Sequence, residues 1–216
     1  MRRILLALAL FLPLAAMASD NDTDKVNGDV HVTAGQHVGK ASSVNGDVDV
    51  AAHAVVDKAS TVNGAVKLGP QAQAGEVDTV NGDIEMAAGA RVQGKVEAVN
   101  GAIHLARGAE VDGHLSNVNG TITLEDAHAA AGIETVAGDI TIGANSRVEG
   151  GILVDKPNNG WFHSGSTRKP VIVIGPHAVV QGTLEFRREV VLKVSDSAQI
   201  GPVKGATVEK FSGATP

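Results

Sequence analysis

The residues of this chain that could do chemistry recur at regular intervals, and their spacing limits what they can do. Columns of carboxylates can bind calcium, and four aspartates directly follow a turn residue: Asp29, Asp47, Asp83 and Asp139. The glycine-rich nonapeptide series of calcium-binding repeats does not accompany them, and the eight histidines show no metal-ligand spacing. The sequence therefore predicts no metal site, solvated aspartates at turns, and histidines at the surface.

The sequence shows no signal for catalysis. It contains no Gly-x-Ser-x-Gly motif, no P-loop and no paired catalytic carboxylates, and the absence of cysteine excludes thiolate chemistry. We expect no enzyme activity, no catalytic residue and no cofactor.

One segment, residues 155–170, is rich in turn-forming residues and contains the only tryptophan. It places exposed aromatic rings beside basic side chains, a combination that can hold a sugar or a partner protein. The candidate binding residues are Trp161, Phe162, His163, Arg168 and Lys169. The alternative is a flap that folds back and covers one side of the protein.

A repeated Val-Asn-Gly tripeptide organises the rest of the sequence. Its copies start 18 or 19 residues apart, and a degenerate copy begins at Val136. Asn-Gly is a turn dipeptide, and stacked side-chain amides can form hydrogen bonds between repeats. We therefore interpret the asparagine column as structural: Asn27, Asn45, Asn63, Asn81, Asn100 and Asn119.

Aliphatic residues recur at every sixth position, so each period divides into three short segments. Triplets such as Val48-Asp49-Val50 alternate apolar and polar residues, as a half-buried strand does. A fixed short period predicts stacked units instead of one globular core. We expect an all-β fold, a triangular single-stranded parallel β-helix with about 18 residues per coil and about nine coils.

The expected boundaries begin with a secretory signal peptide at residues 1–18, which ends in the small-x-small sequence Ala16-Met17-Ala18. Short tails are expected at 19–25 and 212–216, around a β-helix at 26–211 that contains the inserted loop 155–170. No transmembrane segment is expected after signal cleavage, and the predicted location is the periplasm, the secreted fraction or the cell surface. The net charge of −6 becomes more negative when Arg2 and Arg3 are removed, which argues against nucleic-acid binding.

Several repeats resemble those of bactofilins, bacterial polymer-forming cytoskeletal proteins. The resemblance lies in stretches such as Ala90-Arg-Val-Gln-Gly-Lys-Val96 and Ala109-Glu-Val-Asp-Gly-His-Leu115, and it extends from Val80 to Phe211. It implies a right-handed triangular β-helix that assembles end to end without nucleotide, with Phe211 at the terminal aromatic position. The Val-Asn-Gly repeats themselves look more like those of exported, adhesin-like repeat proteins.

Two other resemblances imply enzymes. The aliphatic residue at every sixth position is shared with left-handed hexapeptide acyltransferases, but acyl-coenzyme A is not present outside the cytoplasm. Polysaccharide lyases on right-handed helices have longer, irregular coils and clustered Asp, Arg and Lys residues that this sequence lacks.

The function expected from these observations is structural. We expect an exported scaffolding β-helix whose partner is a second copy of itself, with Phe211 at the contact. The alternative is a module that binds a cell-wall glycan or an envelope protein through the Trp161 loop.

Overall fold

Short strands form wherever two aliphatic residues flank one polar residue. In the first such triplet, Val30 and Val32 are buried while His31 between them is exposed. The computed structural model describes residues 22–157 and 168–216, and these form a parallel β-solenoid of about ten turns. The predicted all-β fold with about 18 residues per turn is confirmed.

The described residues contain 26 strands and no helix. In sequence order the strands are β1 (Thr23–Asn27), β2 (Val30–Val32), β3 (His37–Asn45), β4 (Val48–Val50), β5 (Val55–Asn63), β6 (Val66–Leu68), β7 (Gln73–Asn81), β8 (Ile84–Met86), β9 (Arg91–Val92), β10 (Val96–Asn100), β11 (Ile103–Leu105), β12 (Glu110–Val111), β13 (Leu115–Asn119), β14 (Ile122–Leu124), β15 (His128–Ala129), β16 (Ile133–Thr135), β17 (Ile140–Ile142), β18 (Arg147–Val148), β19 (Ile152–Val154), β20 (Val171–Ile174), β21 (Val179–Val180), β22 (Leu184–Phe186), β23 (Val191–Ser195), β24 (Gln199–Ile200), β25 (Val203–Lys204) and β26 (Val208–Phe211).

Three faces run along the solenoid. The first face is the ten-stranded sheet that begins with β2 and ends with β26. The second face contains β9, β12, β15, β18, β21 and β24, and the third contains β1, β10, β13, β16, β19, β22 and β25. Every pairing is parallel and joins a strand to its equivalent one coil away, for example Val48 to Val66 and Val66 to Ile84.

The long strands β3, β5 and β7 cross the second and third faces without interruption, whereas later coils use two separate strands. Ala74 pairs with Val92, 18 residues on, but Val77 pairs with Val96, 19 residues on. The extra residue lies in the Gln93-Gly94-Lys95 segment, where it opens a corner between β9 and β10. One inserted residue therefore divides a continuous strand into two shorter strands, which are joined by a corner that contains a glycine.

The core is a column of aliphatic side chains. Six residues expected to be interior are fully or almost fully buried: Val48, Val50, Val66, Leu68, Ile84 and Met86. Between them, Glu85 is exposed, while Asp49 and Lys67 point outward and are partly exposed. The predicted alternation of interior and exterior residues is confirmed.

The number of coils is about ten, not the nine expected from the sequence. The N-terminal coil was undercounted because β1 already begins at Thr23, inside the segment expected to be a tail. The strands on either side of the insertion are in register, because Ile142 pairs with Ile174 and Val154 pairs with Phe186. The coils that flank residues 155–170 in the sequence are therefore adjacent in the solenoid.

Glycines of the Val-Asn-Gly repeat stack directly on each other at the corner between the third and first faces, here called the Asn-Gly corner. A Cβ atom at these positions would lie between 1.9 and 2.4 Å from the carbonyl oxygen of the glycine one coil earlier, at Gly46, Gly64, Gly82, Gly101 and Gly120. Real Cβ atoms do not approach so closely, so these positions require glycine for steric reasons.

We expect Gly64→Ala to destabilise the solenoid by about 3 kcal/mol or more, because its Cβ would lie 2.1 Å from the Gly46 carbonyl oxygen and the backbone must move. Gly28→Ala is the matched control, since a Cβ there meets nothing within 4 Å and only the backbone angle, φ of +103°, is unfavourable. That strain is about 1–2 kcal/mol. Urea unfolding followed by circular dichroism measures both, and equal losses would contradict the steric explanation.

Candidate functional site

The asparagines of the Val-Asn-Gly repeats form a ladder of side-chain hydrogen bonds. Each amide nitrogen donates to the amide oxygen one coil earlier, as from Asn45 to Asn27 at 3.1 Å and from Asn63 to Asn45 at 2.9 Å. The series continues at Asn81, Asn100 and Asn119 with distances of 3.0, 3.1 and 3.1 Å. All six side chains are exposed, so the ladder runs along the surface of the Asn-Gly corner.

The aspartates that follow the corner glycines are also bonded between coils. The Asp29 carboxylate accepts the backbone amide of Asp47 at 2.8 Å, and Asp47 accepts that of Ala65 at 2.8 Å. Asp83 and Asp139 do the same for Ala102 and Val171. Asp29 and Asp83 are exposed, as expected for aspartates at turns, and each of the four carboxylates also accepts a backbone N–H of the next coil, which the sequence did not predict.

A third column, inside the corner, contains buried polar side chains. Thr61 and Thr79 are 3% exposed and donate their hydroxyls to the carbonyls of Gly46 and Gly64 at 2.8 and 3.1 Å. Ser43 makes the equivalent bond at 3.0 Å. Buried hydroxyls need partners, and here the partner is the glycine carbonyl of the preceding coil.

Charged side chains line the outside of the first face in alternating sign. His31, Asp49, Lys67, Glu85 and His104 are consecutive partners in the strand register. Lys67 Nζ lies 2.8 Å from Asp47 Oδ2, and this contact lowers the pKa of the Asp47 carboxyl and raises that of the Lys67 amine. The column lines a shallow, open groove of about 630 Å³.

The loop residues predicted from the sequence fall into two groups. Trp161, Phe162 and His163 lie outside the described residues. Arg168 makes an ion pair with Asp139, and Lys169 Nζ lies 2.9 Å from Glu189 Oε2. Arg168 and Lys169 are thus both paired with carboxylates of the solenoid.

Phe211, the expected assembly contact, is the last residue of β26 and is partly buried. It pairs with Ser195 of β23, and no described strand pairs with the other edge of β26.

Sequence reasoning missed a charged cluster on the third face, where the inserted segment leaves the solenoid. Glu134 is 17% exposed, and burial raises the pKa of its carboxyl. His114 Nε2 lies 3.8 Å from it, and Arg187 NH1 lies 3.4 Å from Asp155 Oδ1. A desolvated carboxyl in a cluster is a candidate functional site, although ion-pair networks shift pKa values in the same way. No sequence motif identifies it, because the contacts join residues from different coils.

Comparison of the sequence with protein families, curated proteins and solved structures finds no match. Within residues 22–157 and 168–216, no group of three or more His, Cys, Asp or Glu side chains is arranged to hold a metal ion. The same part of the protein has no helix long and apolar enough to cross a membrane.

The Asn ladder predicts unequal effects for two asparagines. Asn81→Ala removes two ladder bonds and Asn27→Ala only one. At about 0.5–1.5 kcal/mol per hydrogen bond, Asn81→Ala should lower the free energy of unfolding by about twice as much as Asn27→Ala. Urea titration measures the difference, and two equal, negligible effects would show that the ladder adds no stability.

Two carboxyls should give opposite pH dependence. The folded-state pKa of Glu134 is raised by burial, so its favourable contribution is present at low pH and is lost as pH rises through that pKa. Asp47 is the reverse: its pKa is lowered by Lys67 and the Ala65 amide, so its contribution is present at neutral pH and is lost as pH falls. Relative to the wild type, Glu134→Gln should gain thermal stability as pH rises from about 4 to 7, whereas the stability that Asp47→Asn lacks should be constant in that range and shrink as pH falls below about 4. Melting curves from about pH 2 to 7 test both signs, and a difference from the wild type that is independent of pH over this whole range would contradict them.

Proposed function

We propose that this protein is an exported structural or scaffolding β-solenoid of the cell envelope, in the periplasm or at the cell surface. The observation that supports the proposal is that the polar side chains of the Asn-Gly corner form hydrogen bonds between coils. Amides, carboxylates and hydroxyls at the Asn-Gly corner all bond one coil to the next. Polar groups held in this way favour a regular rod, about 45 Å long for about ten coils at the usual strand spacing. The predicted signal peptide, outside the described residues, supports export.

A bactofilin-like mode of action would add end-to-end assembly, with a second copy of the protein as the partner. Apolar surface at the C-terminal coil supports this proposal. Ile200, Val203 and Val208 are only partly buried, whereas their partners one coil earlier are 1%, 0% and 1% exposed: Val180, Leu184 and Leu192. A copy stacked on this coil would complete the burial of the same apolar column. Phe211 lies on the same strand as Val208.

Two lysines oppose such stacking. Lys210 pairs with Val194, so it occupies a position where every earlier coil of the first face has an aliphatic residue. Lys25, in the first described strand, pairs with Ser43 and so lies in the column of buried hydroxyls. An inward charge on an edge strand is a known means of preventing edge-to-edge pairing. Assembly is therefore proposed to depend on the balance between the apolar end surface and these charges.

Sedimentation of protein beginning at Ser19 tests end-to-end assembly. Phe211→Arg should weaken it by adding a charge at the contact, and Lys210→Leu should strengthen it by removing one. We expect the concentration of half-assembly to rise by about tenfold or more in the first variant and to fall comparably in the second. Lys204→Leu is the matched control, because Lys204 pairs with Glu185 in an outward column of the last coil.

If the wild type and Lys210→Leu are both monomeric at high concentration, the end-to-end proposal is wrong. The alternative, a module that binds cell-wall glycan or an envelope protein through the Trp161 loop, would then be the better account. Its test is a change in Trp161 fluorescence on addition of glycan.

A further inference from the structure

The Asn-Gly dipeptides that build the corner are also a site of spontaneous backbone chemistry. In an Asn-Gly pair, the glycine amide nitrogen can attack the carbonyl carbon of the preceding asparagine's amide group. A new N–C bond forms, the bond from that carbon to the asparagine Nδ2 breaks, and ammonia leaves with the proton from the glycine nitrogen. Water then opens the cyclic imide, giving aspartate or isoaspartate. The attack needs a glycine amide that is free of its hydrogen bond and an asparagine that can rotate about its side-chain bonds.

At five of the six repeats of the Asn-Gly corner, the glycine N–H already donates a hydrogen bond. It donates to the backbone carbonyl of the asparagine one coil later, with nitrogen–oxygen distances of 2.8 Å at Gly28, 3.0 Å at Gly46 and Gly64, 2.9 Å at Gly82 and 3.0 Å at Gly101. The asparagines from 45 to 100 each hold two ladder bonds as well. Attack at these corners requires the local structure to open first.

The sixth corner, Asn119-Gly120, lies where the ladder stops. The next repeat is degenerate, with Ala137 in place of asparagine, and the pairing of β13 with β16 ends at Asn117 and Thr135. Every earlier pairing on this face continues to the asparagine, as from Asn100 to Asn119. Within the described residues, the Gly120 amide has no hydrogen-bond acceptor.

We propose that, among the six asparagines of the Asn-Gly corner, Asn119 is the one that undergoes deamidation in the folded state. Its side chain is exposed and is held by a single ladder bond, donated to Asn100. The product carries a carboxylate, which cannot donate to the Asn100 amide oxygen, so the last bond of the ladder is lost. The reaction adds a negative charge and, in the isoaspartate, one backbone atom at a corner where the stacking distance is fixed.

Asn27 can show whether the reaction depends on the glycine nitrogen or only on a position at the end of the Asn ladder. It is the other end of the ladder and also has only one ladder bond, yet the Gly28 amide donates to the Asn45 carbonyl at 2.8 Å. If availability of the glycine nitrogen decides the rate, Asn119 reacts and Asn27 is protected. If loss of ladder bonds decides it, both react.

Peptide mass spectrometry of the purified protein, incubated at mildly alkaline pH, tests the proposal. All six sites have the same Val-Asn-Gly sequence, so the other five are internal controls. In the folded protein we expect Asn119 to convert about tenfold faster than Asn45, Asn63, Asn81 or Asn100, and faster than Asn27. In urea the six sites should react at similar rates.

Two variants complete the test. Asn119→Gln should abolish the fast reaction. Ala137→Asn can add a second ladder bond at Asn119 but supplies no new backbone acceptor for the Gly120 amide, so conversion at Asn119 should stay faster than at Asn81. Equal rates at all six sites in the folded protein would overturn the proposal. Equal, fast rates at Asn27 and Asn119 would also overturn it, because they would assign the effect to the ladder ends and not to Gly120.

Discussion

Parallel strands in register are separated by about 4.8 Å, and this one distance determines the rest of the structure. Each residue lies directly above its equivalent in the neighbouring coil. Where the repeat places the same residue type in successive coils, that residue must be able to pack against an identical side chain in the next coil. Glycine satisfies this condition where backbones meet at the Asn-Gly corner, because a Cβ atom at Gly82 would lie 1.9 Å from the Gly64 carbonyl oxygen.

The same condition selects the polar residues. An asparagine amide both donates and accepts, so identical amides can bond to each other in an indefinite series. Aspartate cannot bond to aspartate in this way, and the structure instead pairs each carboxylate with a backbone N–H, as from Asp47 to Ala65. On the outer faces, unlike charges are neighbours in some columns, as with Arg91 and Glu110, and like charges are neighbours in others, as with Lys40 and Lys58. Exposed pairs of this kind add little stability, but like charges in the same column would disfavour the register.

The interior and the period could be read from the sequence because alternation and repetition depend only on local spacing. The N-terminal end could not, because β1 begins at Thr23, in a segment that contains too few aliphatic residues to show the period. The role of the aspartates was missed for a different reason. A carboxylate beside a turn glycine has the same local sequence whether it faces water or accepts a hydrogen bond from 18 residues away. The electrostatic surroundings of Glu134 likewise depend on side chains from other coils, including His114 and Arg187, which no motif connects.

Pairing only between successive coils also has a kinetic consequence. The sequence separation of contacting residues stays at about one period from end to end, apart from the single crossing at residues 155–170. Low sequence separation favours fast folding, and a protein with such contacts can nucleate at one point and propagate. A polypeptide that emerges from a narrow channel with its N-terminus first can thus add one finished coil after another. Each new coil can pair with the preceding coil, which is already folded, and its strands need no partner from a distant part of the sequence.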